Sequence, residues 1–189
     1  MTATTSSSTP PPERYIDVTI NYLEMWSRPE GSPRPAPLPD VAIIRAARPT
    51  VAFYRYLYDR VGEPWLWYER RLMSDERLAA IVQDPAVEVH VLHTGGEPAG
   101  YVELDGRASA ELELAYFGLM PEFIGRGLGA YFLAWAIDRA WDQEPRRVWV
   151  HTCSLDHPRA LATYRAAGFA EYAQERVRIA DPRPLFGAR

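Results

Sequence analysis

Pro121-Glu122-Phe123-Ile124-Gly125-Arg126-Gly127-Leu128-Gly129-Ala130 lies between a strand-like run, 112–120, and a helix-like run that reaches Trp141. Strand, glycine loop and helix in that order aim backbone N–H groups and the positive end of a helix dipole at one point, which is how proteins hold a pyrophosphate. Glycines at 125, 127 and 129 let an anion approach the backbone closely and admit conformations closed to other residues. The plainer alternative is a loop that merely starts a helix.

Three phosphate loops have to be compared with it. A Walker A loop needs Gly-Lys-Ser/Thr after its spacer, and the chain has no such tripeptide. Gly125-x-Gly127-x-x-Ala130 satisfies the letter of the dinucleotide fingerprint, but the next strand-like run, 147–153, ends in Thr152-Cys153-Ser154 rather than in an acid. Too little chain then remains for the second half of such a domain. A third loop fits better. The stretch resembles the acetyl-CoA loop of the GNAT superfamily of acyltransferases, Arg/Gln-x-x-Gly-x-Gly/Ala after a strand and Pro-Glu. Gly127 and Gly129 fill the two glycine positions, Gly125-Arg126 matches the common Gly-Lys/Arg pair, and Ile124 stands where the family has Arg or Gln.

A second patch carries the same resemblance. In His157-Pro-Arg-Ala160-Leu-Ala-Thr-Tyr164-Arg-Ala-Ala-Gly168-Phe169, a short helix places Ala160 and Tyr164 on one face and stops at Gly168. This is similar to the family's Asn-x-x-Ala-x-x-x-Tyr-x-x-x-Gly-Phe motif, with His157 in place of Asn. Tyr164 taken alone reads as a core aromatic with its hydroxyl tied to backbone. The two patches cover 112–169, with weaker similarity back to about residue 41.

The resemblance implies an α/β fold, a central mixed β-sheet with helices on both faces, and acetyl-CoA as co-substrate. It implies cofactor contacts from Phe117, Leu119, Ile124, Gly125, Arg126, Gly127, Leu128, Gly129 and Ala130, and from His157, Ala160 and Tyr164. Acetyl transfer to an amine calls for a base, a donor to the carbonyl oxygen as it gains charge, and an acid for the departing sulfur. The resemblance points to Glu113 as base, to the backbone N–H of Leu119 as oxyanion donor and to Tyr164 as acid. Glu111 and Glu113 are expected on a strand face shared with Ala115 and Phe117; solvated acids or an ordered water chain are the alternatives for the base. Trp65, Trp67 and Tyr68 are candidates for binding the acceptor, a small-molecule or peptide amine, or are simply packing. A catalytically silent domain that binds acyl-CoA as a regulatory signal is the alternative function.

Around these patches, 189 residues suffice for one full core, read as a single domain over 14–189 behind a Thr/Ser/Pro-rich tail, 1–13, expected to be disordered. A net charge of −4 gives no basic footprint, so nucleic acid is not an expected partner. One cysteine and four scattered histidines make no closed zinc set; His151 and Cys153, on one strand face, lack a third ligand, and no metal is expected. There is neither a secretion signal nor an apolar run of the about 20 residues that span a membrane, so a cytoplasmic location is expected. Strands are predicted over 41–46, 87–92 and 98–104, the last two joined at Gly95-Gly96, and over 169–179; helices are predicted over 50–60 and, capped by Ser74, over 78–82. Ile16, Val18, Ile20 and Tyr22 alternate with polar residues, predicting a strand over 15–25 that caps a sheet edge or pairs between subunits of a homodimer. The sequence leaves both open.

Overall fold

The computed structural model describes residues 14–30, 35–108 and 110–187. The predicted tail, 1–13, lies outside them. Seven strands form one sheet: β1 Tyr15–Met25, β2 Ala42–Arg45, β3 Val87–Thr94, β4 Glu97–Asp105, β5 Glu111–Leu119, β6 Arg147–Cys153 and β7 Ala170–Ala180. Four helices accompany it: α1 Val51–Gly62, α2 Asp75–Val82, α3 Leu128–Trp141 and α4 Ala160–Ala166. Thr50 and Ser74 cap α1 and α2 by accepting from the N–H groups of Phe53 and Arg77, which satisfies donors that have no partner within the first turn. No helix of the described residues is long and apolar enough to cross a membrane.

The sheet order is β2-β3-β4-β5-β6-β1-β7. All pairs are antiparallel except β5 and β6, which are parallel and in register only from Glu111 opposite Arg147 to Glu113 opposite Trp149. Beyond Glu113 the two strands part, and a gap opens in the middle of the sheet.

β1 is thus not an edge strand: both of its sides are paired within the chain. It runs between β6 and β7, with Ile20–Met25 paired to β6 and Tyr15–Glu24 paired to β7. Among the described residues its first stretch, 15–18, pairs with β7 alone, so these strands extend past β6 as a two-stranded arm.

Two cores lie on opposite faces. On one, α3 presents Leu128, Phe132, Ala136 and Ala140, one residue per turn, to Leu112, Leu114, Val148, Val150 and Leu23. On the other, α1 and α2 pack Leu57, Val61, Leu78 and Val82 on Val89, Val91 and Tyr101. The second core also holds charge. Arg70 Nη2 lies 2.5 Å from Glu103 Oε1, Glu103 accepts from the Tyr54 hydroxyl as well, and Glu103 is fully buried. Burial pushes the Glu103 carboxyl upward against the pull of Arg70.

Candidate active site

The gap between β5 and β6 is the waist of a cavity of about 630 Å³. At one end lies the glycine loop. Gly125 and Gly127 have φ of 87° and 79°, the left-handed region that a side chain resists, and Gly127 is the residue from which α3 starts. Gly129 differs from the expectation: it sits inside the helix with no positive φ, and its merit is the bare surface it offers the cavity alongside Ala130. Ile124 lines the same end, Arg126 lays its guanidinium 5.2 Å from the Phe123 ring centre, and Leu128 turns its side chain fully into the core, leaving only its backbone on the loop.

Phe117 and Leu119 on β5, and His157, Ala160 and Tyr164 around α4, line the middle of the cavity. Tyr164 packs edge-on to Phe117 and Phe169, and its hydroxyl has no hydrogen bond among the described residues. Burial, with Asp156 adding to it, holds this phenol well above its usual pKa, so it stays protonated at neutral pH.

β5 carries a bulge that overturns one expectation. Tyr116 pairs with Glu103 and Leu114 with Leu104, so Ala115 is an extra residue and the alternation slips by one. Phe117 therefore faces α3, with Leu112 and Leu114, whereas Glu113 faces the other way, with Tyr116. Glu113 and Phe117 do not share a face. Glu111 is held by Arg147 Nη2 at 2.7 Å.

Glu113 does not line the large cavity; it meets it through His151. Glu113 Oε1 lies 3.2 Å from His151 Nδ1, and the imidazole lines the cavity from the neighbouring strand. The bond to Glu113 raises the His151 pKa, burial opposes it, and the charge of Glu113 adds to the rise. With its proton on Nδ1 facing the carboxylate, the neutral ring keeps its lone pair on Nε2. The sequence singled out His151 only as half of a metal pair. Its signal was the parallel register that sets Glu113 opposite Trp149, two residues from His151, and that register is invisible in one dimension.

Trp65, Trp67 and Tyr68 all line the cavity. Trp67 is also a brace, since its Nε1 donates to Asp156 Oδ1 at 3.0 Å and its ring packs on Tyr58 and Tyr116. Asp156 in turn accepts from Thr152 Oγ1 and Cys153 N at 2.8 Å each, tying the segment after α1 to the segment before α4. Burial pushes the Cys153 thiol up to about 11, which leaves it a poor nucleophile. Among the described residues no group of His, Cys, Asp and Glu could hold a metal ion.

Known proteins share this architecture. A conserved protein of unknown function from Staphylococcus epidermidis superposes with a TM-score of 0.61 at 16% identity over 88% of this chain and 63% of its own. A GCN5-related N-acetyltransferase from Sphaerobacter thermophilus gives 0.59 at 20% identity, covering 87% of this chain and 51% of that one. An aminoglycoside acetyltransferase from an uncultured soil metagenomic sample gives 0.55 at 14% identity over 68% and 87%. At these identities the likeness is one of fold, and the chain spans between about half and two-thirds of the length of the first two. Comparison with curated proteins finds no match. Residues 50–169, well over half of the chain and both motif patches, match the acetyltransferase (GNAT) family. With the split sheet and the glycine loop at the head of α3, that match makes this chain a member of the GNAT acetyltransferase family.

Proposed function

We propose that the protein transfers an acetyl group from acetyl-CoA to a primary amine, directly, with both substrates bound. The observation that carries this reading is the split between β5 and β6, which joins the two faces of the sheet where Tyr164 and His151 line a single cavity. Donor and acceptor can then enter from opposite faces and meet in the gap.

On the α3 face, the amides of 125–130 and the N-terminus of the helix hold the diphosphate, and Arg126 adds positive charge beside it. The bare surface at Gly129 and Ala130 leaves room for it. On the other face, His151 Nε2 takes the proton from the attacking amine, while Glu113 fixes the ring and stabilises the imidazolium that forms. The amine nitrogen bonds to the carbonyl carbon, the Leu119 N–H supports the charge on oxygen, the carbon–sulfur bond breaks, and Tyr164 gives its proton to the sulfur. The products are an N-acetyl amide and the free CoA thiol. Burial holds Cys153 as a thiol and a poor nucleophile, which supports direct transfer over an acyl-enzyme.

Release of CoA thiol in the presence of a panel of primary amines tests this. Amine-dependent release is expected; acetyl-CoA binding without release from any amine would leave a silent acyl-CoA-binding domain. Stabilisation against heat by NAD or ATP, but not by acetyl-CoA, would remove the acyltransferase reading altogether.

A further inference from the structure

The acceptor end of the cavity has a composition of its own. Its wall is the arm that β1 and β7 build beyond β6, and from it Val18, Ile20, Val177 and Ile179 face inward. Val18 sits opposite Val177, so these side chains form one aliphatic stripe on one face of the arm. The stripe leads to the catalytic imidazole, because Ile20 pairs with Cys153 and Tyr22 with His151 in the same ladder. Trp65, Leu66 and Tyr68 line the same cavity. Leu66 holds a left-handed backbone, φ 57°, which costs on the order of 1 kcal/mol for a residue with a side chain and is a kind of strain often found at binding sites.

Charge near this end is already engaged: Glu175, opposite Ile20 on the stripe's own face, accepts from the Tyr22 hydroxyl at 3.3 Å. Asp156 accepts from Thr152, Cys153 and Trp67. Glu69 accepts from the Tyr116 hydroxyl at 2.7 Å, and Glu113 faces His151. Arg159, near α4, adds positive charge. One cationic nitrogen can be accommodated beside Glu69 and His151. A second or third, further along the acceptor past the engaged Glu175, would lie against Val18, Val177 and Ile179 without a partner, which is unfavourable for a buried charge.

Building on the transferase reading above, we infer that the acceptor is a monoamine whose remaining body is apolar, an alkyl or arylalkyl primary amine rather than a polyamine, aminosugar or basic peptide. The β1–β7 arm is the element that selects it. The arm lies outside residues 50–169, so the chosen acceptor is a property of this chain's two ends rather than of the matched segment.

The test compares phenethylamine, ethanolamine, spermidine and the aminoglycoside sisomicin, by thiol release and by calorimetric binding to the CoA-loaded protein. Phenethylamine should exceed ethanolamine in kcat/KM by about 10²-fold, the scale of discrimination that apolar pockets reach. Ile179→Asn and, separately, Ile20→Asn should each shrink that ratio by about tenfold, with acetyl-CoA affinity as the check that the variants are folded. Preference for spermidine or sisomicin, or a ratio untouched in both folded variants, overturns the inference. Tight binding of phenethylamine without thiol release would sustain the apolar site while removing the transfer chemistry, so the two failures are distinguishable.

Discussion

The two ends of the cavity are built by different means. The cofactor end comes from two short stretches, 117–130 and 157–169, each continuous in sequence and both inside the family match. The acceptor end is assembled from the arm of β1 and β7, from His151 on β6 and from the segment after α1, four places far apart in the chain. Local geometry is enough to grip a diphosphate, because backbone amides do the work and any side chain that permits the turn will serve. Recognition of a particular acceptor needs side chains placed by distant pairings. One fold can therefore keep its donor while its acceptor changes.

That contrast can be strained most severely at the acceptor end. Arg70→Ala leaves Glu103 as an unpaired buried charge beneath the segment that carries Trp65–Glu69, and unfolding experiments should show a loss of about 3–5 kcal/mol. Arg126→Ala, on the exposed loop of the cofactor end, should change stability by less than about 0.5 kcal/mol. Equal losses would dissolve the distinction between a braced acceptor end and a locally built cofactor end.

Catalysis offers the next pair of probes. His151→Gln should lower kcat by about 10³-fold and Tyr164→Phe by about 10²-fold, within the usual range for positioned proton donors and acceptors, both with acetyl-CoA affinity nearly intact. Unchanged turnover in either variant assigns that residue to structure. A finer test separates Glu113 from His151. The raised His151 pKa keeps the imidazole protonated, and thus unable to act as base, to a higher pH than an ordinary histidine, so the acidic limb of the kcat profile should lie above the usual histidine value. Glu113→Gln removes the main cause of the rise and should move that limb to lower pH. A limb that stays in place would make Glu113 a bystander. The smallest effect is expected of Arg126→Ala on acetyl-CoA affinity, about threefold, because an exposed charge adds little to what the amides supply.

The same division explains what could be read from the sequence. Motifs at 121–130 and 157–169, the hairpin at Gly95-Gly96, and the cap Ser74 are local signals, and each element they mark is present. The membership of β1 in the interior of the sheet was not legible, because its alternation fits an edge and a centre equally well, and its partners lie more than a hundred residues away. The bulge at Ala115 carries no glycine or other marker, so strict alternation put Glu113 on the wrong face. His151 was hidden for a related reason: a histidine on a strand says nothing of the carboxylate that the adjacent parallel strand will set beside it. The buried Arg70–Glu103 pair likewise looks, in sequence, like two of many surface charges.

A crystal structure with bound CoA tests the central claim most directly. The diphosphate should rest on the amides of residues 125–130, and the thiol should reach the gap between β5 and β6, with its sulfur within hydrogen-bonding reach of the Tyr164 hydroxyl, about 3–3.5 Å, and the open side toward His151. A diphosphate seated elsewhere, or a thiol that stops short of the gap and leaves Tyr164 and His151 on separate chambers, would contradict it.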